Sequence, residues 1–212
     1  MKTNKPVIYL IAFLLINAML LTSCKKDSAP GTPAQAFPAP IVNIAPQSMI
    51  DSLVARGATI YSGTTPPIVN GIYLMTPDSC TYDNSPSNSA GSIYADYKFR
   101  FSGQDNAAFT LTVEQKAIAT GVLNAAPVAT YISGSGNNFS IFTLRNQSAA
   151  GIQGEIFNVF SGTLTSTGIK GLQNVLYVRS KGADPYNLLA VAGTVRVFIN
   201  GGAGTAIKSD TF

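Results

Sequence analysis

The sequence holds a few sets of residues whose types and spacing could do chemistry. Tyr94-x-x-x-Lys98 and Tyr177-x-x-x-Lys181 match the spacing of a Tyr–Lys proton-transfer pair. That chemistry needs both side chains one helical turn apart beside a bound dinucleotide. Here Tyr94 and Lys98 fall in an alternating run, about 13 Å apart along a strand. No Gly-x-Gly-x-x-Gly opens a helix, so both matches read as coincidence. Asp96 and Glu114 could serve as the two carboxylates of a hydrolase, which must converge on one bond. They share a polar face with Lys98, Arg100 and Lys116, which reads equally as cross-strand ion pairing. Asp78, Asp83 and Asn84 offer the oxygen ligands that calcium takes. They lack EF-hand spacing and read as solvated turn residues. Cys80 has no His or basic neighbour to make it a thiolate. Gly134-Ser135-Gly136-Asn137-Asn138 could form an anion-binding nest, but no helix and no P-loop Lys follow it. A hairpin turn is the simpler reading.

Composition narrows the classes further. The 212 residues include no His, no Trp and two Cys. Without imidazole there is no Ser-His or Cys-His pair and no His metal ligand. Two cysteines cannot build a disulfide framework. Only 11% of residues are charged, so the surface must be made of Ser, Thr, Asn, Gln and Gly. The chain reads as a non-enzyme without cofactor, with a carboxylate hydrolase as the third-ranked alternative.

The N-terminus reads as an address. Lys2 and Lys5 precede an apolar run from Val7 to Leu21, broken only by Asn17. That length suits a signal peptide and is short for a spanning helix. Leu21-Thr22-Ser23-Cys24 resembles the bacterial lipobox. In that scheme residues 1–23 are removed and the Cys24 thiol carries diacylglycerol. Without Lys2 and Lys5 the chain keeps 12 basic and 10 acidic residues. The bases are scattered, so no nucleic-acid partner is expected. Lys25 follows the Cys where Asp would signal inner-membrane retention. The expected destination is therefore the outer membrane, with periplasmic face or cell surface undecided.

Residues 24–46 are rich in Pro and read as a tether. Residues 47–212 read as a single β domain. Its one expected helix runs from Ser48 as N-cap to Gly57, with Ile50, Leu53 and Val54 on one face. From Gly71 onward the period becomes two. Ile93, Ala95, Tyr97, Phe99 and Phe101 share a face, as do Phe109, Leu111 and Val113. Further runs lie at 71–75, 128–133, 139–145, 155–161, 175–180 and 189–200, separated by Gly- and Asn-rich turns. The expected fold is all-β: an antiparallel barrel of eight to ten strands, lipocalin-like, with one short N-terminal helix closing an end or packed outside. A two-sheet β-sandwich is the alternative.

The stretch from Gly57 to Tyr73 fits a Gly-x-x-Ile-x-x-Gly-x-x-Pro-Pro-x-x-x-Gly-x-Tyr pattern. With Tyr131-Ile132-Ser133-Gly134-Ser135-Gly136-Asn137 and Arg196-Val197-Phe198, it resembles a group of Bacteroidota outer-membrane lipoproteins. The likeness covers most of residues 47–205 and rests on turn and core residues. It implies a lipid-anchored β domain and no established activity. Members tend to carry Asp in the terminal turn, where this chain has Asn200-Gly201-Gly202-Ala203-Gly204.

The expected function is a membrane-anchored module that binds a small apolar ligand, with Tyr97, Phe99, Phe101, Tyr131 and Phe139 as candidate lining. A surface module for glycan or protein is the alternative. Asp78 and Asp83 are the only candidate metal ligands, and the sequence leaves oligomeric state open.

Overall fold

Alternation along the strands sets the architecture. The structure is a computed structural model that describes residues 36–124, 126–149, 151–201 and 204–212. The signal-peptide and Cys24 assignments lie outside the described residues. Twelve strands follow in order: β1 Thr64–Thr65, β2 Gly71–Met75, β3 Asp78–Asp83, β4 Ile93–Tyr94, β5 Tyr97–Asp105, β6 Thr110–Ala117, β7 Ala129–Ser135, β8 Asn138–Ala149, β9 Ile152–Leu164, β10 Gly168–Lys181, β11 Val195–Asn200 and β12 Thr205–Ser209. Among the described residues two short helices, α1 Ala39–Ile44 and α2 Gln47–Val54, precede them. The chain is all-β, as the alternation requires. All strand pairs are antiparallel except β1 beside β7.

Strands β5 to β10 form an up-and-down meander. β12 pairs with both β10 and β2, and β2 pairs with β5, so eight strands close into a ring. The seam between β6 and β7 is thin, held by the pair Thr110 and Tyr131. β10 forks at a bulge. Lys170 and the residues before it pair with β12, while Gln173 and those after it pair with β11. Gly171 sits at the fork with φ +61°, a left-handed conformation that suits glycine. Beyond β11 the sheet continues through β3 to β4. The barrel is thus closed by β12 at one end and widened by β11, β3 and β4 at the other.

Register sorts the side chains into rows. Ile132, Ile141, Phe160, Asn174 and Phe198 stand opposite one another and face inward. Tyr131, Phe142, Val159, Val175 and Val197 form the next row and face out. The inward row joins Phe99, Phe101 and Phe139 in a filled core. Phe99 and Phe160 lie 5.1 Å apart between ring centroids, and Phe101 and Phe160 6.1 Å. The outward row is covered by the helices through Ile41, Ala45, Ile50 and Leu53. Both faces of β8–β11 are therefore buried, which explains their nearly continuous apolar runs.

Several expectations change here. The helix is Gln47–Val54 with Pro46 at its N-cap and no side-chain cap from Ser48. Val54 is about half exposed, so the buried stripe is Ile50 and Leu53. The tether ends earlier than Pro46, because Pro40 is tolerated in the first turn of α1 and Ile41 is fully buried. The run 92–101 is broken at Ala95-Asp96: β4 pairs with β3 and leaves Ile93 exposed, while β5 pairs with β2 and β6. The run 189–200 becomes a strand only from Val195.

Segment 58–69 runs over the outer face at Ser133 and Ser140 and reaches the inner core at Val69. Tyr61 N–H donates to Ser140 Oγ at 2.8 Å, and Ser133 Oγ donates to the Tyr61 carbonyl at 2.6 Å. Gln104 Nε2 donates to the Pro67 carbonyl at 2.8 Å, and Val69 is fully buried.

Candidate functional site

The inward rows change character along their strands. On β8, Phe139 and Ile141 give way to Thr143 and Arg145. On β9, inward from Phe160 comes Asn158. On β6, Leu111 and Val113 lead to Gln115. All are buried. The apolar half of the barrel is packed solid, and the polar half surrounds a cavity of about 450 Å3. The fork in β10 is what opens it, because β11 and β3 widen the ring and contribute Arg196, Phe198 and Asp78 to the wall. A half-open cavity of this volume is in the range used for small molecules.

Three buried side chains in the wall carry polar atoms without a hydrogen-bond partner among the described residues. They are Asp78 Oδ1, Arg145 Nε and Asn158 Oδ1, on residues 3%, 8% and 1% exposed. Such atoms are costly to leave unpaired. The amides are otherwise well fixed. Asn158 Nδ2 donates to Asn174 Oδ1 at 3.1 Å and to the Val175 carbonyl at 3.2 Å. Asn124 Nδ2 donates to Gln115 Oε1 at 3.0 Å. Burial, with the charge of Asp96 beside it, pushes the Asp78 carboxyl up to about 7. Burial lowers the pKa of Arg145, yet a guanidinium stays protonated in proteins. Arg196 is tied to Asp83 by an ion pair of 3.0 Å. A second, more apolar recess of about 200 Å3 adjoins the first, sharing Gln147, Leu176 and Arg196 and lined also by Ile156, Val178 and Leu189.

The sequence candidates separate clearly. Tyr97 lines the cavity. Phe99, Phe101 and Phe139 are packed in the filled core, and Tyr131 faces outward against the helix side. Asp78 and Asp83 sit at opposite ends of β3, not in a loop, so they cannot share one ion: five residues of strand span about 16 Å. Burial works against the Asp83 charge, but hydrogen bonds from Ser85 and from the Ser89 amide, with Arg196, hold its carboxyl well below the usual range. Among the described residues no group of three or more acidic or thiol side chains could hold a metal. Glu114 pairs with Arg100 across β5 and β6, while Asp96 accepts from Thr76 Oγ1 at 2.7 Å. These two carboxylates do not converge. Lys98 Nζ bonds the Thr211 carbonyl and Lys181 pairs with Asp184, so neither Tyr–Lys match forms a pair. Cys80 is buried, its Sγ 3.3 Å from the Tyr82 carbonyl, and burial raises its pKa. Gly136 takes φ +60° in a two-residue hairpin turn, Ser135 pairing with Asn138.

The residues missed in the sequence are Arg145, Asn158, Asn174 and Gln115. The signal was present: each continues, at even spacing, the face of a buried Phe, Ile, Leu or Val. No helix among the described residues is long and apolar enough to cross a membrane. No family model, no curated protein and no solved structure matches the chain.

Proposed function

We propose that this chain is a lipid-anchored module of the cell envelope, held at the outer membrane through Cys24, that binds a small polar ligand without catalysis. One observation carries the binding part. A cavity of about 450 Å3 is walled by Asp78, Arg145 and Asn158, each buried with a polar atom unpaired. Preformed hydrogen-bonding groups in a concave site are how proteins recognise small polar molecules. The polar wall moves the ligand away from the purely apolar class that the aromatic residues suggested. The anchor rests on the lipobox-like Leu21-Thr22-Ser23-Cys24 and on Lys25 after it.

Two experiments test the reading. Native mass spectrometry of the full chain purified from membranes should show a small co-purifying mass. It should be lost in Asn158→Leu, which replaces a polar wall group with an apolar one of similar size. A wild-type protein with no added mass, and no heat on titration with neutral or acidic monosaccharides, would refute cavity binding. Mass analysis of the N-terminus should find diacylglycerol on Cys24; an unmodified Cys24 would refute the anchor.

A second reading, a surface module for glycan or protein, is favoured by the exposed Ile118, Val122, Leu123 and Val128 on the connection between β6 and β7.

A further inference from the structure

Arg145 is the one buried cation of the wall with no counter-charge. It lies past the middle of β8, beyond the packed Phe139 and Ile141, 8% exposed and with Nε unpaired. The ion pairs among the described residues join Arg100 to Glu114, Arg179 to Glu155, Lys181 to Asp184 and Arg196 to Asp83. None includes Arg145. A buried guanidinium without a partner is a high-energy arrangement. The nearest acid in the wall by topology is Asp78, and β9, β10 and β11 stand between its strand and β8.

The neighbours say what else the occupant carries. Gln115, Gln147, Asn158 and Asn174 present amide groups, which both donate to and accept from hydroxyls. Tyr97 supplies an aromatic surface from β5. Asp78, on the far side, suits a hydroxyl rather than a second anion. The wall therefore has an anion end at Arg145 and a series of groups that suit hydroxyls.

We infer that the cavity takes a sugar bearing one oxyanion, a carboxylate or a sulfate ester, seated against the Arg145 guanidinium. The planar fork of Arg matches either oxyanion through two parallel hydrogen bonds. This inference rests on the cavity-binding reading above and adds the charge of the ligand to it.

The test is calorimetric titration of the full chain with glucuronate, glucose 6-sulfate and glucose. At least one acidic sugar should bind roughly tenfold to a hundredfold more tightly than glucose, the range a charge-assisted hydrogen bond supplies. Which of the two binds identifies the oxyanion. Arg145→Gln should remove the preference for the acidic sugar over glucose, and Arg145→Lys should retain part of it. Thermal melting checks that each variant folds. If R145Q does not fold, the wild-type preference and R145K decide. Glucose binding as tightly as both acids overturns this inference and leaves cavity binding standing. No heat with any of the three, together with no co-purifying mass, overturns both.

Discussion

Arg196 donates from Nε to Oδ2 of Asp83 at 3.0 Å, and the Asp83 side chain has no exposed surface. The same carboxylate accepts the amides of Ser85 and Ser89 at 2.7 and 3.0 Å. One group thus ties β3, β11 and the 84–89 turn together. Asp83→Asn should cost about 2–4 kcal/mol, read from urea unfolding at pH 7, because it leaves a half-buried guanidinium without its charge partner. The pKa of Asp83 is depressed, so its stabilisation is present above the ordinary carboxylate range and is lost as pH falls through it. D83N should therefore unfold with a weaker acid dependence than the wild type. An unchanged acid limb would contradict the assignment.

Asp78 has the opposite sign. Its carboxyl is raised from 3.8 to about 7. The folded state holds a proton that the unfolded state releases, so stability falls as pH rises from about 4 to about 7 and is level above. Asp78→Asn removes that slope. At pH 8 the variant should exceed the wild type by roughly 2–4 kcal/mol. Melting at pH 5 and pH 8 would show it, and parallel curves for the two proteins would argue against it.

Gln173 faces out from β10 and clips the N-terminal segment to the barrel. Its Oε1 accepts the Thr59 N–H at 2.6 Å and its Nε2 donates to the Gly57 carbonyl at 3.0 Å. Gln173→Ala leaves both backbone groups unpaired and should cost about 1–3 kcal/mol. Hydrogen exchange should quicken first at Thr59, whose amide loses its acceptor. Full protection there in Q173A would discount the clip.

Gly168 opens β10 where β12 closes the ring. A Cβ at this position would run into the carbonyl oxygen of Ala206. Gly168→Ala should destabilise by roughly 3 kcal/mol or more, beyond ordinary overpacking, because backbone rather than a flexible side chain must move. Gly136, which has open space around its Cβ position but φ +60°, should cost about 1 kcal/mol on the same change. Equal effects at the two sites would mean that the β10–β12 contact is not tight.

Much of the barrel was legible because buried strands of a meander write their period plainly. Phe99, Phe101, Leu111, Val113, Phe139 and Ile141 mark their faces at spacing two. β3 was not legible, since Asp78 and Asp83 are polar residues at both ends of a strand and only the fold shows them buried. α1 was hidden among Pro38, Pro40 and Pro46, whose helix-breaking reputation does not apply in a first turn. The cavity escaped for a different reason. Arg145, Asn158 and Gln115 occupy inward positions where a filled barrel wants carbon, and no local rule says which end of a strand is packed. The fork at Gly171 that opens this end depends on two partners arriving from residues 195–209, far along the chain.

That fork has one more consequence. β11 lies between β10 and β3, and β12 lies between β10 and β2, so both late strands are inserted staves and neither is an edge of the ring. They are joined to the rest of the chain only through the connection after Lys181, where Tyr186 and Leu188 are well exposed. A backbone cut in that connection leaves two pieces held by four ladders of hydrogen bonds on three partner strands. Such a short piece, carrying β11 and β12, would keep to the large one through main-chain pairing on both sides of each of its strands.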